Sequence, residues 1–384
     1  MTPEPIPFID LRPGDDHAAV RDAIDRVVAR GWFVLGPEVE AFESEFAAAS
    51  GASHAVGVGN GTDAIALLLR ALNVKPGDEV IVPAMTAAYT GLAVLLAGAV
   101  PVFADVNAAT LTLDPAACEA AVTSRTVAIV PVHLYGQTAD MRALHAVAQR
   151  HSLAMIEDCC QAHLATCDGV PVGTRTAGGA FSFYPTKNLG ALGDGGAVIT
   201  NDAAIADRVR RLRNGGQIDR YVHAEAGVNS RLDDLQAAVL RTRLPLLPRW
   251  TGRRRALAAR YRRSLAEVAG PERGRGVRPL DERDDRHVYH LFVVRSAARD
   301  ALQAHLRASG VETLIHYPVP LPQQPAFASL VPGGRSESRG QKWPVAAHAA
   351  HEIVSLPLHP RLTDSDVERI CSAIETFQKG HMLA

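Results

Sequence analysis

Between about residue 54 and residue 200 the chain alternates short apolar runs with helical stretches, and few folds tolerate that rhythm. The runs are HAVGVG, EVIVPA, PVFADV, TVAIVPVH, LAMIEDCC, FSFY and AVIT, with helix-forming segments such as Ala64–Leu72 and Met141–Arg150 between them. Apolar runs flanked by helices belong to strands buried on both faces, as in a parallel sheet covered on each side. The pattern predicts an α/β fold: a large domain with a mostly parallel seven-stranded sheet flanked by helices. In such sheets ligands gather at the carboxyl ends of the strands.

Two amphipathic helices precede this core. Val20, Ile24, Val27 and Val28 share one face up to Gly31, and Val39, Phe42 and Phe46 repeat the pattern up to Gly51. After about residue 245 the style changes. Arg249–Arg263 reads as a basic helix solvated on one side, HLFVVR, ETLIHYP and IVSLPL as strands, and 298–308 and 363–378 as helices. The expected organisation is a large domain over 1–245 and a small α+β domain over 246–384, with an exposed loop at Val331–Gly340.

Composition limits the function. The 384 residues carry 40 basic and 41 acidic side chains, a formal charge of −1, which argues against an extended nucleic-acid or anionic-membrane surface. Five cysteines without a CxxC pair make neither a disulfide framework nor a zinc site. The uncharged stretch Ala84–Ala104 contains Gly91, Gly98 and Pro101 and ends in PVFADV, so it reads as a buried helix and strand rather than a membrane span. MTPEPIPFIDLRPGDD has the acids and prolines that a signal peptide lacks. The expectation is a cytoplasmic protein. His348, His351 and Glu352 share a helix but lack the HExxH spacing, and no metal is expected.

Three segments carry chemistry. Gly57-Val58-Gly59-Asn60-Gly61-Thr62-Asp63 leads from a strand into a helix, whose first amides attract phosphate; an ordinary strand-to-helix turn reads the same way. Asp158 ends the apolar run LAMIED, where a buried carboxylate needs a cation, although a helix-capping aspartate fits too; Gln161 and His163 follow within a turn. Lys187 lies in SFYPTKNLGALGDGG between two strands. With 36 arginines against 4 lysines, a lysine there is selected for an amine that can lose its proton, the alternative being a surface loop cation.

A phosphate cradle, a buried acid and an imine-forming lysine are the protein side of pyridoxal-phosphate chemistry. GNGTDAI, EDCCQAH, FSFYPTKNLGALGDGGAV, GVNSRLDDLQAAVL and TLIHYPVPLPQQPAF, in that order, resemble the nucleotide-sugar aminotransferases of the DegT/StrS type. These belong to the aspartate aminotransferase superfamily, fold type I, and the resemblance runs nearly end to end. It implies a pyridoxal 5′-phosphate cofactor, with the pyridoxamine form in the catalytic cycle, attached to Lys187. It implies that Asp158 keeps the pyridine nitrogen protonated and that Gln161 contacts the ring's 3′-oxygen. The phosphate falls to the Gly61 and Thr62 amides, to the Ser182 hydroxyl and to Asn229 of a neighbouring subunit. Tyr184, His316 and Tyr317 are implied on the substrate side. The family's ring-stacking aromatic is replaced here by Ala87, which leaves Tyr89 as the first substitute.

The implied activity is transfer of an amino group from L-glutamate to a nucleotide-linked keto sugar by a homodimer with shared sites. The motifs most resemble enzymes acting at C3 of dTDP-3-keto-6-deoxyhexoses. C4 and aminocyclitol aminotransferases share nearly all of them. A regulatory protein that binds the cofactor without turnover is the alternative of a different class.

Overall fold

The computed structural model describes residues 4–12, 14–268, 276–330 and 342–382; the expected loop at 331–340 lies outside them. Helices α1 (His17–Arg30) and α2 (Pro37–Ala49) lead into β1 (His54–Val58), α3 (Gly61–Ala71), β2 (Glu79–Pro83), α4 (Ala88–Leu96) and β3 (Val100–Ala104). Then come β4 (Thr126–Ile129), β5 (Ala154–Met155), β6 (Glu157–Asp158), β7 (Gly179–Ser182) and β8 (Gly196–Thr200). One four-stranded group runs β3-β2-β4-β5 and another β1-β8-β7-β6. They are a single sheet. The Ile156 amide donates to the Ile129 carbonyl at 3.2 Å, the Asp158 amide to Pro131 at 2.9 Å, and Val132 bridges Asp158 in parallel. Counting β5 and β6 as one strand interrupted at Ile156, the sheet has the seven expected strands. Only β8 runs antiparallel, against both β7 and β1.

Asn60, Asp114, Asp140 and Asp202 each precede a helix and accept a first-turn amide, the usual way to satisfy donors that have no partner inside the helix. The sheet's core strands are fully buried. α2 packs on one face through Phe42 and Phe46, whose rings meet Phe181 and Phe183 at 5.1–5.3 Å edge to face. On α1 the buried face is Val20, Ala23 and Val27, while Val28 is exposed: the stripe is narrower than its apolar letters suggest.

The C-terminal part holds an antiparallel sheet of β9 (Arg278–Pro279), β10 (Phe292–Arg295) and β11 (Ile353–Leu356). Alternation splits β10: Phe292 and Val294 join a cluster with Leu257, Tyr261, Leu302 and Ile370, whereas Val293 faces the main core. Two expectations need correction here. ETLIHYP is not a strand; Leu314 makes a lone bridge to Ser355, after which the backbone leaves the sheet and carries His316 and Tyr317 to the main sheet's edge. Nor does the N-terminus stay with the large unit: Ile6 bridges Val311 and is buried in the C-terminal cluster. The basic helix, Leu247–Val268, is solvated only in part, since Arg254 is 5% exposed.

Candidate active site

The carboxyl ends of β1, β2, β4, β6 and β7 converge on one edge, and every side chain of the site hangs from the residues just beyond them. At the end of β1 the Asn60 side chain takes the Asp63 amide at 2.9 Å. That leaves the Gly61 and Thr62 amides without a protein acceptor among the described residues. Gly61 is confined: a Cβ there would lie 2.6 Å from Cys160 Sγ and 2.8 Å from Ser182 Cβ. The structure therefore brings Gly61, Thr62 and Ser182 together as a cradle with free donors and no side chain in the way. Ser230 locks it from beneath, accepting the Gly59 amide at 2.9 Å and donating to Asp63 Oδ2 at 2.6 Å.

Asp158, 5% exposed, ends β6. Its Oδ2 accepts from Thr90 Oγ1 at 2.8 Å and its Oδ1 from the Cys160 amide at 3.1 Å. No cationic side chain pairs with it among the described residues, which is the environment that a protonated ring nitrogen completes. Gln161 is held at both ends. Its Oε1 accepts the Tyr135 amide at 2.6 Å, and Nε2 donates to Tyr317 Oη at 2.9 Å, leaving one N–H for a ligand.

Lys187 sits on the loop after β7, its amide bonded to the Tyr184 carbonyl at 2.8 Å. Burial pushes its ammonium pKa below the ordinary value, while the neighbouring Cys160 and Asp158 oppose that shift. A depressed lysine spends more time as the neutral amine, the nucleophilic form. The nearby imidazoles answer to the same burial and to the Lys187 charge: His163 is lowered to about 3 and His316 to about 4. His163 Nε2 donates to the Ser182 carbonyl at 2.9 Å, and His316 Nδ1 meets Ser355 Oγ at 2.9 Å. Tyr135 Oη donates to the His316 carbonyl. His316 and Tyr317 thus reach the site from the C-terminal part, Tyr317 directly through Gln161.

Three expected residues are exposed at the surface. Tyr184 is half exposed, and Tyr89 is 65% exposed on the first turn of α4. Asn229 is exposed, its backbone bridged to Asn214. The sequence reasoning missed Thr90, Tyr135 and Ser230. Thr90 was findable as one turn beyond Thr86; Tyr135 and Ser230 act through contacts with no local signal.

Among the described residues, one group has metal-ligand chemistry: His133, Glu157 and Cys159. Both ring nitrogens of His133 are engaged, Nε2 with Glu157 Oε2 at 2.8 Å and Nδ1 accepting the Ala139 amide. Glu157 also accepts from Thr176 at 2.8 Å.

The comparisons agree with this geometry. Residues 15–375 match the model of the DegT/DnrJ/EryC1/StrS aminotransferase family. The chain is 48% identical to the erythromycin biosynthesis sensory transduction protein EryC1 of Saccharopolyspora erythraea, over 96% of this chain and 99% of that one. It is 47% identical to the dTDP-3-amino-3,4,6-trideoxy-alpha-D-glucose transaminase of Streptomyces venezuelae, covering 97% and 96%. The crystal structure of S. venezuelae DesV superposes with a TM-score of 0.92 at 45% identity, over 98% of this chain and 99% of that one. The fold is that of the type I pyridoxal-phosphate enzymes, and the amino form of the cofactor is bound in two further solved relatives. The cradle, the unpaired acid and the buried lysine fit that group. The chain belongs to the DegT/DnrJ/EryC1/StrS aminotransferase family, and pyridoxal 5′-phosphate is its cofactor.

Proposed function

We propose that the protein transfers the amino group of L-glutamate to C3 of a dTDP-linked 3-keto-6-deoxyhexose. The observation that carries the chemistry is the buried Lys187 beside the Asp158 carboxylate, with free amides at Gly61 and Thr62. The substrate rests on the 47% identity to a dTDP-3-amino sugar transaminase. When bound, the cofactor supplies a ring that withdraws electrons from the carbon bearing the amine. The Gly61 and Thr62 amides and Ser182 anchor its phosphate at the α3 N-terminus. Asp158, fixed by Thr90 and the Cys160 amide, holds the proton on the ring nitrogen. Gln161, clamped by Tyr135 and Tyr317, aims its remaining N–H at the 3′-oxygen. Lys187 Nζ takes and returns a proton at the reacting carbon, a role helped by the burial that lowers its pKa and raises its share of neutral amine. His316 and Tyr317 face the sugar, with Tyr184 at the mouth, and Tyr89 covers the ring where Ala87 cannot.

The active unit in this reading is a homodimer, with Asn229 completing the partner's phosphate site. Ile218 at 60% and Tyr221 at 82% exposure are large apolar side chains available to an interface, and Asn229 follows the same exposed stretch. Mixing inactive Lys187→Ala with an inactive Asn229→Ala variant should restore activity, since one site per heterodimer is intact; an active monomer would reject the arrangement. All five cysteines are free, as suits a reducing, cytoplasmic setting. The 48% identity to a protein named for sensory transduction favours a second reading, regulation without turnover. Incubation with glutamate and a panel of 3-keto, 4-keto and cyclitol ketones, followed by mass analysis, separates these. A C3-aminated sugar supports the proposal. Amination solely at C4 or of a free cyclitol rejects the substrate, and no turnover favours the regulatory reading.

A further inference from the structure

His316 is held by three parts of the chain that lie far apart in sequence. Phe8 of the N-terminal segment, itself packed on the main core, stacks on the imidazole face at 5.7 Å and 27°. The Tyr135 hydroxyl, at the edge of the main sheet, donates to the His316 carbonyl. From β11, Ser355 Oγ reaches the ring itself, 2.9 Å from Nδ1. Only Nε2 is left over. Nothing among the described residues bonds to it, and it stays open to solvent, unlike the unbonded ring nitrogens of His163 and His359, which are closed in. The serine decides which nitrogen carries the proton. Ser355 is 0% exposed, and its hydroxyl has no acceptor other than Nδ1 among the described residues. A proton on Nδ1 would turn that nitrogen into the donor and strand the serine O–H in the interior, at the cost of an unmade buried hydrogen bond. With the serine donating, both groups are satisfied and the proton sits on Nε2.

We propose that Ser355 is a positioning residue that holds His316 in its Nε2–H form, as a neutral hydrogen-bond donor to an oxygen of the nucleotide sugar. This rests on the reading above that His316 faces the sugar. The chemistry of the partner follows from the tautomer. An Nε2–H needs a carbonyl, hydroxyl or phosphate oxygen opposite it and offers nothing to an N–H of a ligand. The stack on Phe8 and the anchored carbonyl keep the ring from turning its nitrogens about, so the donor keeps one direction. Burial and the Lys187 charge lower the His316 pKa to about 4, which leaves the ring uncharged at neutral pH. A neutral ring with its proton on Nε2 has no lone pair there. His316 therefore recognises the sugar without acting as a base at Nε2, and proton transfer at the reacting carbon stays with Lys187.

The test joins a spectrum to kinetics. In holoenzyme labelled with ¹⁵N in its imidazoles, the His316 signals, identified by their loss in His316→Phe, should show a bare Nδ1 and a protonated Nε2 at neutral pH. A protonated Nδ1 overturns the proposal without recourse to any Ser355 variant. Ser355→Ala should lower kcat/KM for the keto sugar about five-fold or more, the loss expected for one misplaced hydrogen bond, and leave kcat/KM for glutamate unchanged. Retained cofactor absorbance shows that each variant is intact. Introduced into His316→Phe, Ser355→Ala should have no further effect, because the serine acts through the ring. Losses that multiply, or a wild-type kcat/KM in Ser355→Ala, overturn the proposal. An unchanged kcat/KM for the sugar in His316→Phe rejects the placement of His316 against the sugar, and with it the recognition role. A holoenzyme that aminates no nucleotide sugar rejects the function proposed above, while the spectrum still tests the part played by Ser355.

Discussion

Glu38 and Asp158 are both buried carboxylates, at 1% and 5% exposure, yet their surroundings differ in kind. Glu38 receives three guanidiniums: Arg26 at 3.0 Å, Arg30 at 3.2 Å and Arg241 at 2.7 Å, tying α1 and α2 to the helix Asp234–Arg243. Burial pushes its pKa up, but the arginines outweigh that and bring it to about 2. Asp158 receives one hydroxyl and one amide, and it neighbours Lys187, whose own charge burial disfavours. The first cluster is complete within the chain. The second has no ion pair among the described residues, and in the proposed function the cofactor's ring nitrogen supplies the cation. Unfinished electrostatics, rather than burial, separates a site from a staple here.

Variants at the two clusters should therefore fail in opposite ways. Lys187→Ala should reduce transamination by more than about a thousand-fold, while its melting midpoint stays level or rises, because a disfavoured buried amine is gone. Asp158→Asn should lower turnover by about a hundred-fold or more and leave the fold in place, measured by steady-state kinetics beside circular dichroism. Glu38→Gln should do the reverse. Losing the charge beneath three guanidiniums should cost about 3 kcal/mol of stability in denaturant titration, with turnover per folded molecule unchanged. An active-site defect in Glu38→Gln, or a large stability loss in Asp158→Asn, would break the contrast.

A smaller effect separates the clusters by pH. His163 and His287 are lowered to about 3, and His316 and His359 to about 4, each chiefly by burial, against an ordinary value of 6.5. The unfolded chain takes up those protons first on acidification. The stability these groups contribute is complete above about pH 6.5 and is lost as pH falls towards 3–4. Glu38 contributes fully above its ordinary value of 4.5 and loses its share only as pH falls towards about 2. Melting midpoints should thus decline between pH 6.5 and 5 with the same slope in wild type and Glu38→Gln, and the gap between the two should narrow only below pH 5 as wild type loses its Glu38 share. A gap that changes above pH 5 would contradict the assignment.

The scaffold was the more legible part of the sequence. Seven apolar runs gave seven strands because a strand buried on both faces leaves a continuous apolar trace; Gly61 and Asp158 drew notice at the ends of such runs, and Lys187 as a scarce lysine on a glycine-rich loop. What escaped was what long-range contact decides. ETLIHYP has the composition of a strand, but His316 and Tyr317 bond to Ser355 and Gln161 and pull the backbone out of the sheet. Arg254 looks like its solvated neighbours on a basic helix, and only packing shows that it is buried. Ser230 and Tyr135 reach the site across 167 and 26 residues of sequence, with no periodicity to mark them.

The central claim is that Lys187 is the amine that carries the cofactor, and the scarcity of lysine makes it directly testable. The chain has four lysines: Lys75, Lys187, Lys342 and Lys379. Borohydride reduction of the holoenzyme fixes the cofactor to its amine, and peptide mass mapping then locates it. The account predicts a single pyridoxyl-phosphate adduct on Lys187. An adduct on Lys75, Lys342 or Lys379 with Lys187 unmodified, or no adduct on any lysine, would contradict it.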